Sequence, residues 1–110
     1  MKARIDIKPL SVNDAWQGRR FKTPDYTQYE KAVLLMLPKK KLPEPPYEIW
    51  FTFGFSNPAS DIDNGVKPFV DIMKKKYKFN DKEIYGMHII KKIVPKRQEF
   101  VEFEIVTLCG

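Results

Sequence analysis

Asp61-Ile62-Asp63-Asn64, followed by Lys67 and later by Asp81, gathers acids and one lysine in a pattern able to hold a divalent cation against a phosphate. In an extended segment, side chains two apart point the same way, so Asp61 and Asp63 aim four carboxylate oxygens at one point. Hard cations such as Mg²⁺ accept oxygens of this kind. Phosphodiester hydrolysis needs an oriented water, charge relief on the phosphoryl oxygens and a stabilised leaving oxygen, and bound Mg²⁺ contributes to all three. Asp81 would join as a third acid from a separate segment. Clustered carboxylates repel one another, which a cation relieves. Lys67 stands one helical turn after Asp63, so a helix beginning at Asp63 brings its ammonium near the acids and within reach of a scissile phosphate.

Each fragment also has a plainer role. An isolated Asp-x-Asp more often supplies turn and capping acids than a metal site. Asp71 is spaced as an i,i+4 ion-pair partner for Lys67 and stays outside the metal set. His88, the only histidine, falls in an expected strand and is assigned no role. Arg19, Arg20 and Lys22 form one basic cluster in a loop, beside Trp16, and Lys74 to Lys78 form another at a helix end; either can grip phosphates. Lys39 to Lys41 read as a solvated run. The aromatics from Tyr47 to Phe55 alternate as core residues do, so they are not base-stacking platforms.

The chain of 110 residues, 43% hydrophobic, holds enough apolar material for one core and one domain spanning residues 1–110. Its net charge of +6 favours polyanionic partners, nucleic acid first, with ribosomal or lipid surfaces as further candidates. Cys109 stands alone, which excludes an intrachain disulfide and a cysteine zinc cage. The first eight residues alternate apolar and charged instead of forming a secretory apolar run, and no segment is long enough to span a bilayer. The expectation is an intracellular, cytoplasmic protein with no membrane partner.

The elements that must position the acids follow from periodicity. Ala3, Ile5 and Ile7 alternate with charged residues as in a half-buried strand ending at Pro9. Ser11 to Lys22 reads as a polar, basic loop. Thr23 is the N-cap and Pro24 the first residue of a helix to Leu37, with Tyr26, Tyr29, Val33, Met36 and Leu37 on one stripe and Pro38 as its stop. Tyr47, Ile49, Phe51, Phe53 and Phe55 form one face of a strand expected at the centre of the sheet. The acids follow that strand's end, a common place for sites. Asp63 is expected to cap a second helix with a Val66, Phe69, Val70, Met73 and Tyr77 stripe, Pro68 in its first turn and lysines complementing its negative end. Ile84 to Val94 and Glu99 to Leu108 are expected to close the fold as a hairpin.

Three ordered stretches resemble the RusA-type Holliday-junction resolvases, small endodeoxyribonucleases of phages and prophages. Ser11-Val12-Asn13-x-x-Trp16 with Arg19-Arg20-Phe21 and Tyr26 resembles the family's opening segment. Asp61-Ile62-Asp63-Asn64-x-x-Lys67-x-x-x-Asp71 resembles its core motif, and Asn80-Asp81-Lys82-Glu83-Ile84 its second acidic segment. The resemblance covers most of the chain. It implies that Asp61, Asp63 and Asp81 bind the catalytic metal and that Lys67 is the essential lysine. Where the family often carries two acids this chain has Asn80-Asp81, which places the catalytic one at Asp81. It further implies Mg²⁺-dependent paired incision of four-way DNA junctions by a homodimer, with Mn²⁺ as a substitute metal and a bacterial or phage-infected cytoplasm as the setting. Junction symmetry agrees, since a C₂ dimer presents two matching sites.

The resulting expectation is a single α+β domain with a mixed sheet and two main helices, RusA-like in fold. Its catalytic residues would be Asp61, Asp63, Lys67 and Asp81, with DNA contacts from Asn13, Arg19, Arg20, Lys22, Lys74, Lys75 and Lys76. The alternative from another class is a structure-selective DNA-binding module without catalysis, its acids serving as caps. A metal nuclease fold with an Asp…Glu-x-Lys core is disfavoured, because no Glu-x-Lys follows a strand at a suitable place.

Overall fold

The computed structural model describes residues 1–11, 16–17 and 21–109, and only the backbone of Trp16, Gln17, Phe21 and Lys22. Its elements in chain order are β1 (Lys2–Ile5), β2 (Trp16–Gln17), β3 (Phe21–Lys22), α1 (Pro24–Met36), β4 (Tyr47–Phe55), α2 (Val66–Tyr77), a 3₁₀ turn (Asp81–Glu83), β5 (Ile84–Ile93) and β6 (Phe100–Thr107). β1, β6, β4 and β5 form one mixed sheet in that order, and β2 and β3 a separate two-stranded ribbon. This is the α+β class with two principal helices. Among the described residues no helix is long and apolar enough to cross a membrane.

β4 carries the alternation that organises the rest. Tyr47, Ile49, Phe51, Phe53 and Phe55 are buried, whereas Trp50 on the other face is exposed. β4 pairs antiparallel with β6 and parallel with β5, so it is interior, as its pattern predicts. A parallel neighbour requires a crossover, and α2 provides it. Both helices contribute to the core cluster on the inner face, with Tyr26, Tyr29 and Val33 from α1 and Phe69, Val70, Ile72 and Met73 from α2. The Phe69 ring meets Phe51 edge-on at 6.0 Å and Phe53 at 6.4 Å, and lies 5.7 Å from Phe103. Such arrangements suit the ring quadrupole.

The start of α1 follows the local chemistry of its sequence. Thr23 Oγ1 accepts a hydrogen bond from the Tyr26 backbone N–H at 3.1 Å, and Pro24 occupies the first turn, where no backbone donor is needed. Met36, expected on the buried stripe, is 43% exposed; Leu37, the C-cap residue, is buried at that end instead. A helix that stops before Pro38 has no following turn to cover Met36.

Three other expectations are corrected. β1 ends at Ile5, short of Pro9, although Ile7 keeps the inward parity and packs partly against the core. The stretch from Ser11 to Lys22 contains the β2–β3 ribbon rather than loop alone. β5 and β6 do not form a hairpin, because β4 lies between them. Val94 continues the β5 pairing by donating to the Phe55 carbonyl at 2.8 Å. The chain then turns at Pro95 to Gln98, with Arg97 at φ 73°, and enters β6 on β4's far side, Phe100 opposite Gly54.

That entry creates a tight packing point. A Cβ built on Gly54 would lie 2.5 Å from two atoms of the Phe100 ring, and Arg4 also packs over that ring, its guanidinium carbon 4.0 Å from the centroid. Gly54→Ala is therefore expected to lower stability by ~1–3 kcal/mol through overpacking, and Thr23→Ala by ~1 kcal/mol through the lost cap. Urea unfolding followed by circular dichroism checks both, and an unchanged midpoint for Gly54→Ala would contradict the packing described.

Candidate functional site

Beyond β4 the chain enters consecutive turns. The carbonyls of Asn57, Asp61 and Asp63 accept from the N–H groups of Ser60 (3.1 Å), Asn64 (3.2 Å) and Val66 (3.2 Å). Asn57 Oδ1 accepts from the Ala59 N–H at 2.9 Å, an Asx-type closure that suits asparagine at this position. Asp61 and Asp63 ride these turns and are exposed. Asp63 does not cap α2. The N-cap is Gly65, with no side-chain cap bond, and Asp63 serves the helix entry through its carbonyl. The reason lies beneath it: a Cβ on Gly65 would approach the Phe53 ring to 3.1 Å, so the chain descends onto the core there before the helix begins.

Lys67 sits in the first turn of α2, its side chain 62% exposed, with Nζ 3.5 Å from Asp71. This is the i,i+4 pair expected from spacing. Lys67 and Asp71 line a groove of about 300 Å³ between α2 and β5, together with Val66, Val70, Ile84, Met87 and Asp81. Lys74 Nζ lies 3.6 Å from Asp71 and 2.9 Å from Asp81. Charges thus alternate Lys67, Asp71, Lys74, Asp81 along the helix edge. The 3₁₀ turn that presents Asp81 is closed by Asn80 and Glu83: the Asn80 N–H donates to Glu83 Oε1 at 2.9 Å, and the Glu83 N–H to the Asn80 carbonyl at 3.0 Å.

The structure therefore brings Lys67 and Asp81 to one groove, with Asp71 between them, and sets Asp61 and Asp63 apart from Asp81. β5 starts opposite Tyr47, so Asp81 precedes the strand pair at one end, whereas the Asp61 to Asp63 segment follows Phe55 at the other. Among the described residues no three Asp, Glu, His or Cys side chains gather as a metal-holding group. Asp61 and Asp63 remain neighbours on one segment, but they lie in successive turns and not in the extended backbone that would aim both side chains the same way.

The lysines at the end of α2 are engaged within the chain. Lys75 donates to both carboxylate oxygens of Glu30 at 3.0 and 2.9 Å, tying α2 to α1, and Lys76 donates to the Leu34 carbonyl at 3.2 Å. Asn13, Arg19 and Arg20 lie outside the described residues, as does the side chain of Lys22. His88 stacks on Trp50 at 3.7 Å and pairs with Glu48 at 2.9 Å on the face of the sheet away from the helices. A second hollow of about 350 Å³ borders the acidic segment at Ser60 and Asn64. On its wall the backbone N–H of Glu99 itself, then the Ser56 hydroxyl donating at 2.8 Å and the Arg97 N–H, hold the Glu99 carboxyl below its ordinary range against a weaker opposing effect of burial.

Lys91 carries no motif signal yet touches the acidic segment. Its ammonium donates to the Pro58 carbonyl at 2.8 Å and to the Ser60 carbonyl. The clue in sequence is parity: Met87, Ile89 and Ile93 share its inward phase on β5, where a charge is out of pattern.

The hydrogen bond to Asp81, with the fields of Asp81 and Asp71, holds the Lys74 ammonium above its ordinary value of 10.5 against a weaker opposing effect of burial. Burial pushes the Tyr77 phenol up to about 12, and its hydroxyl donates to the Pro38 carbonyl at 2.8 Å. A raised folded-state pKa gives stability that is complete below the unfolded value and lost as pH rises through the folded one. For Tyr77 that window runs from 10.0 to about 12. Stability should stay level from neutral pH to about pH 10 and then fall, and both Tyr77→Phe and Lys74→Met should shallow the fall. Denaturant midpoints measured across this range check it, and identical profiles for all three proteins would contradict it. Set beside known proteins, the chain matches no family model and no curated protein sequence.

Proposed function

We propose that the chain is a Mg²⁺-dependent, structure-selective endodeoxyribonuclease that resolves four-way DNA junctions by paired phosphodiester hydrolysis as a homodimer, in DNA recombination and repair. The observation that carries this reading is the strand-to-helix segment: two exposed carboxylates, Asp61 and Asp63, directly ahead of a helix whose first turn presents Lys67. A chain of net charge +6 surrounds them. Two carboxylates suit Mg²⁺, which characteristically keeps several waters and takes one or two protein carboxylates beside phosphate oxygens. When bound, the ion supplies charge relief at the phosphoryl group and a more acidic water.

The chain's own groups divide the remaining work. Asp61 and Asp63 hold the cation and orient water. Lys67 offers a point charge to a non-bridging phosphate oxygen, and its 3.5 Å pair with Asp71 limits where the ammonium can go. Asp81 is the third acid by resemblance, and it already holds a cationic partner in Lys74. Asn13, Arg19, Arg20, Lys22 and Lys74 to Lys76 are the proposed DNA contacts, the lysines exchanging intramolecular acceptors for phosphates. Two copies about a two-fold axis match the two equivalent strands of a junction.

A second reading, a structure-selective DNA-binding module without catalysis, draws on the same groove: Lys74 bridging Asp71 and Asp81 is what purely structural acids would show. Incubating the protein and Mg²⁺ with a synthetic four-way junction, and separately with linear duplex of the same sequence, divides the two. Paired nicks in the junction alone are expected; equal cutting of both, or none, counts against the nuclease. Asp63→Asn should slow cleavage by more than ~100-fold while junction affinity stays within about twofold. Persistent cleavage by that variant would remove Asp63 from the site.

A further inference from the structure

We infer that Lys91 is a positioning residue for the acidic segment: from β5, it fixes the turn that delivers Asp61 and Asp63. The inference rests on the nuclease reading for the role of those acids, and on geometry alone for the contact. Beyond Phe55 the chain leaves the sheet, so the carbonyls of Pro58 and Ser60 have no ladder partner, and Pro58 has no N–H with which to form one. Both carbonyls accept from the Lys91 ammonium, that of Pro58 at 2.8 Å and that of Ser60 beside it. An ammonium has three donors and no acceptor, so one side chain can satisfy two carbonyls at once.

The placement explains why a lysine stands there. Lys91 pairs in register with Phe53 on β4, and Phe53 is also the ring on which Gly65 rests. The run from Ser60 to Gly65 is therefore held at its beginning by Lys91 and at its end by the seat on Phe53. Asp61 and Asp63 lie between these two anchors. Inside the run, the bonds are local turns between backbone groups, which set curvature but do not tie the segment to the sheet. Losing the first anchor leaves the acids on a tether attached at Ser56, through its bond to Glu99, and at Gly65. A carboxylate pair that must converge on one cation loses affinity when its backbone samples more conformations.

Lys91→Met keeps the stem and removes the donors; Lys91→Arg keeps charge and donors. In the free protein, amide exchange across residues 57–64 should accelerate about tenfold in Lys91→Met, with β4 amides unchanged, and recover in Lys91→Arg. In a titration with Mn²⁺ alone, affinity should drop about tenfold in Lys91→Met and recover in Lys91→Arg. Metal-free junction binding should stay within twofold for both. Unchanged exchange at 57–64 overturns the anchor. Faster exchange with unaltered Mn²⁺ affinity overturns the positioning role, leaving Lys91 a structural residue. If the unsubstituted protein shows no Mn²⁺ binding that Asp63→Asn abolishes, the nuclease reading itself fails and the positioning role with it. That control separates the two failures.

Discussion

The inner face of β4 is the surface against which the other main elements are laid. Five alternating apolar residues, four of them aromatic, make that face too large to leave in water; each buried Phe contributes ~1.5–3 kcal/mol. Two helices are needed to cover it. α1 supplies Tyr26 and Tyr29, both buried in the core, and burial drives their phenols far above the ordinary range. α2 supplies Phe69, in contact with rings on both β4 and β6. Since α2 is also the crossover between β4 and β5, covering the core and placing the acidic segment are one event. The acids stand where they do because α2 must begin over Phe53.

Much of this was legible in residue order. The β4 alternation, the Thr23-Pro24 helix start and the Lys67–Asp71 pair depend on local spacing, and local spacing survives folding. The hairpin expectation failed for a non-local reason. A four-residue turn between two apolar runs suits a hairpin, but β5 and β6 could each pair with β4, which has two edges to offer. β6 alternates cleanly and takes the interior position between β1 and β4. β5 carries Lys91-Lys92 near its end and takes the outside, as charged strands do. The expected Asp63 cap failed for a related reason: capping propensity is local, whereas the seat of Gly65 on Phe53 is set by the packed core.

The candidate site divides along the same line. The acidic pair and Lys67 were readable because they occupy one segment. What holds that segment was not, since Lys91 is some thirty residues away and reaches it through strand register. Nor did spacing show that Lys74, Lys75 and Lys76 each meet a different partner: Asp81 of the 3₁₀ turn, and on α1 the Glu30 carboxylate and the Leu34 carbonyl. A basic run that looks uniform in sequence is used as three separate ties.

Parallel pairing of β4 and β5 also constrains how the three proposed metal acids can act together. Residues that follow the first strand and residues that precede the second lie at opposite ends of a parallel pair, and the β4–β5 ladder extends over about 27 Å at ~3.3 Å per residue. α2, of twelve residues and so about 18 Å long, runs back along that distance. Its edge carries the alternating Lys67, Asp71, Lys74 and Asp81, each charge flanked by the opposite sign. Along that edge Asp81 is linked electrostatically to the Lys67 end of the helix without sharing a ligand point with Asp61 and Asp63. Lys74 is the pivot, because its ammonium neutralises Asp81 and Asp71 together. A cation arriving at Asp81 must replace that ammonium, whereas one arriving at Asp61 and Asp63 meets two exposed carboxylates. On the proposed nuclease reading the electrostatics therefore rank the two ends: the strand-to-helix segment would take the cation first, and Asp81 would become available only once Lys74 found another anion, for which a DNA phosphate is chemically suited.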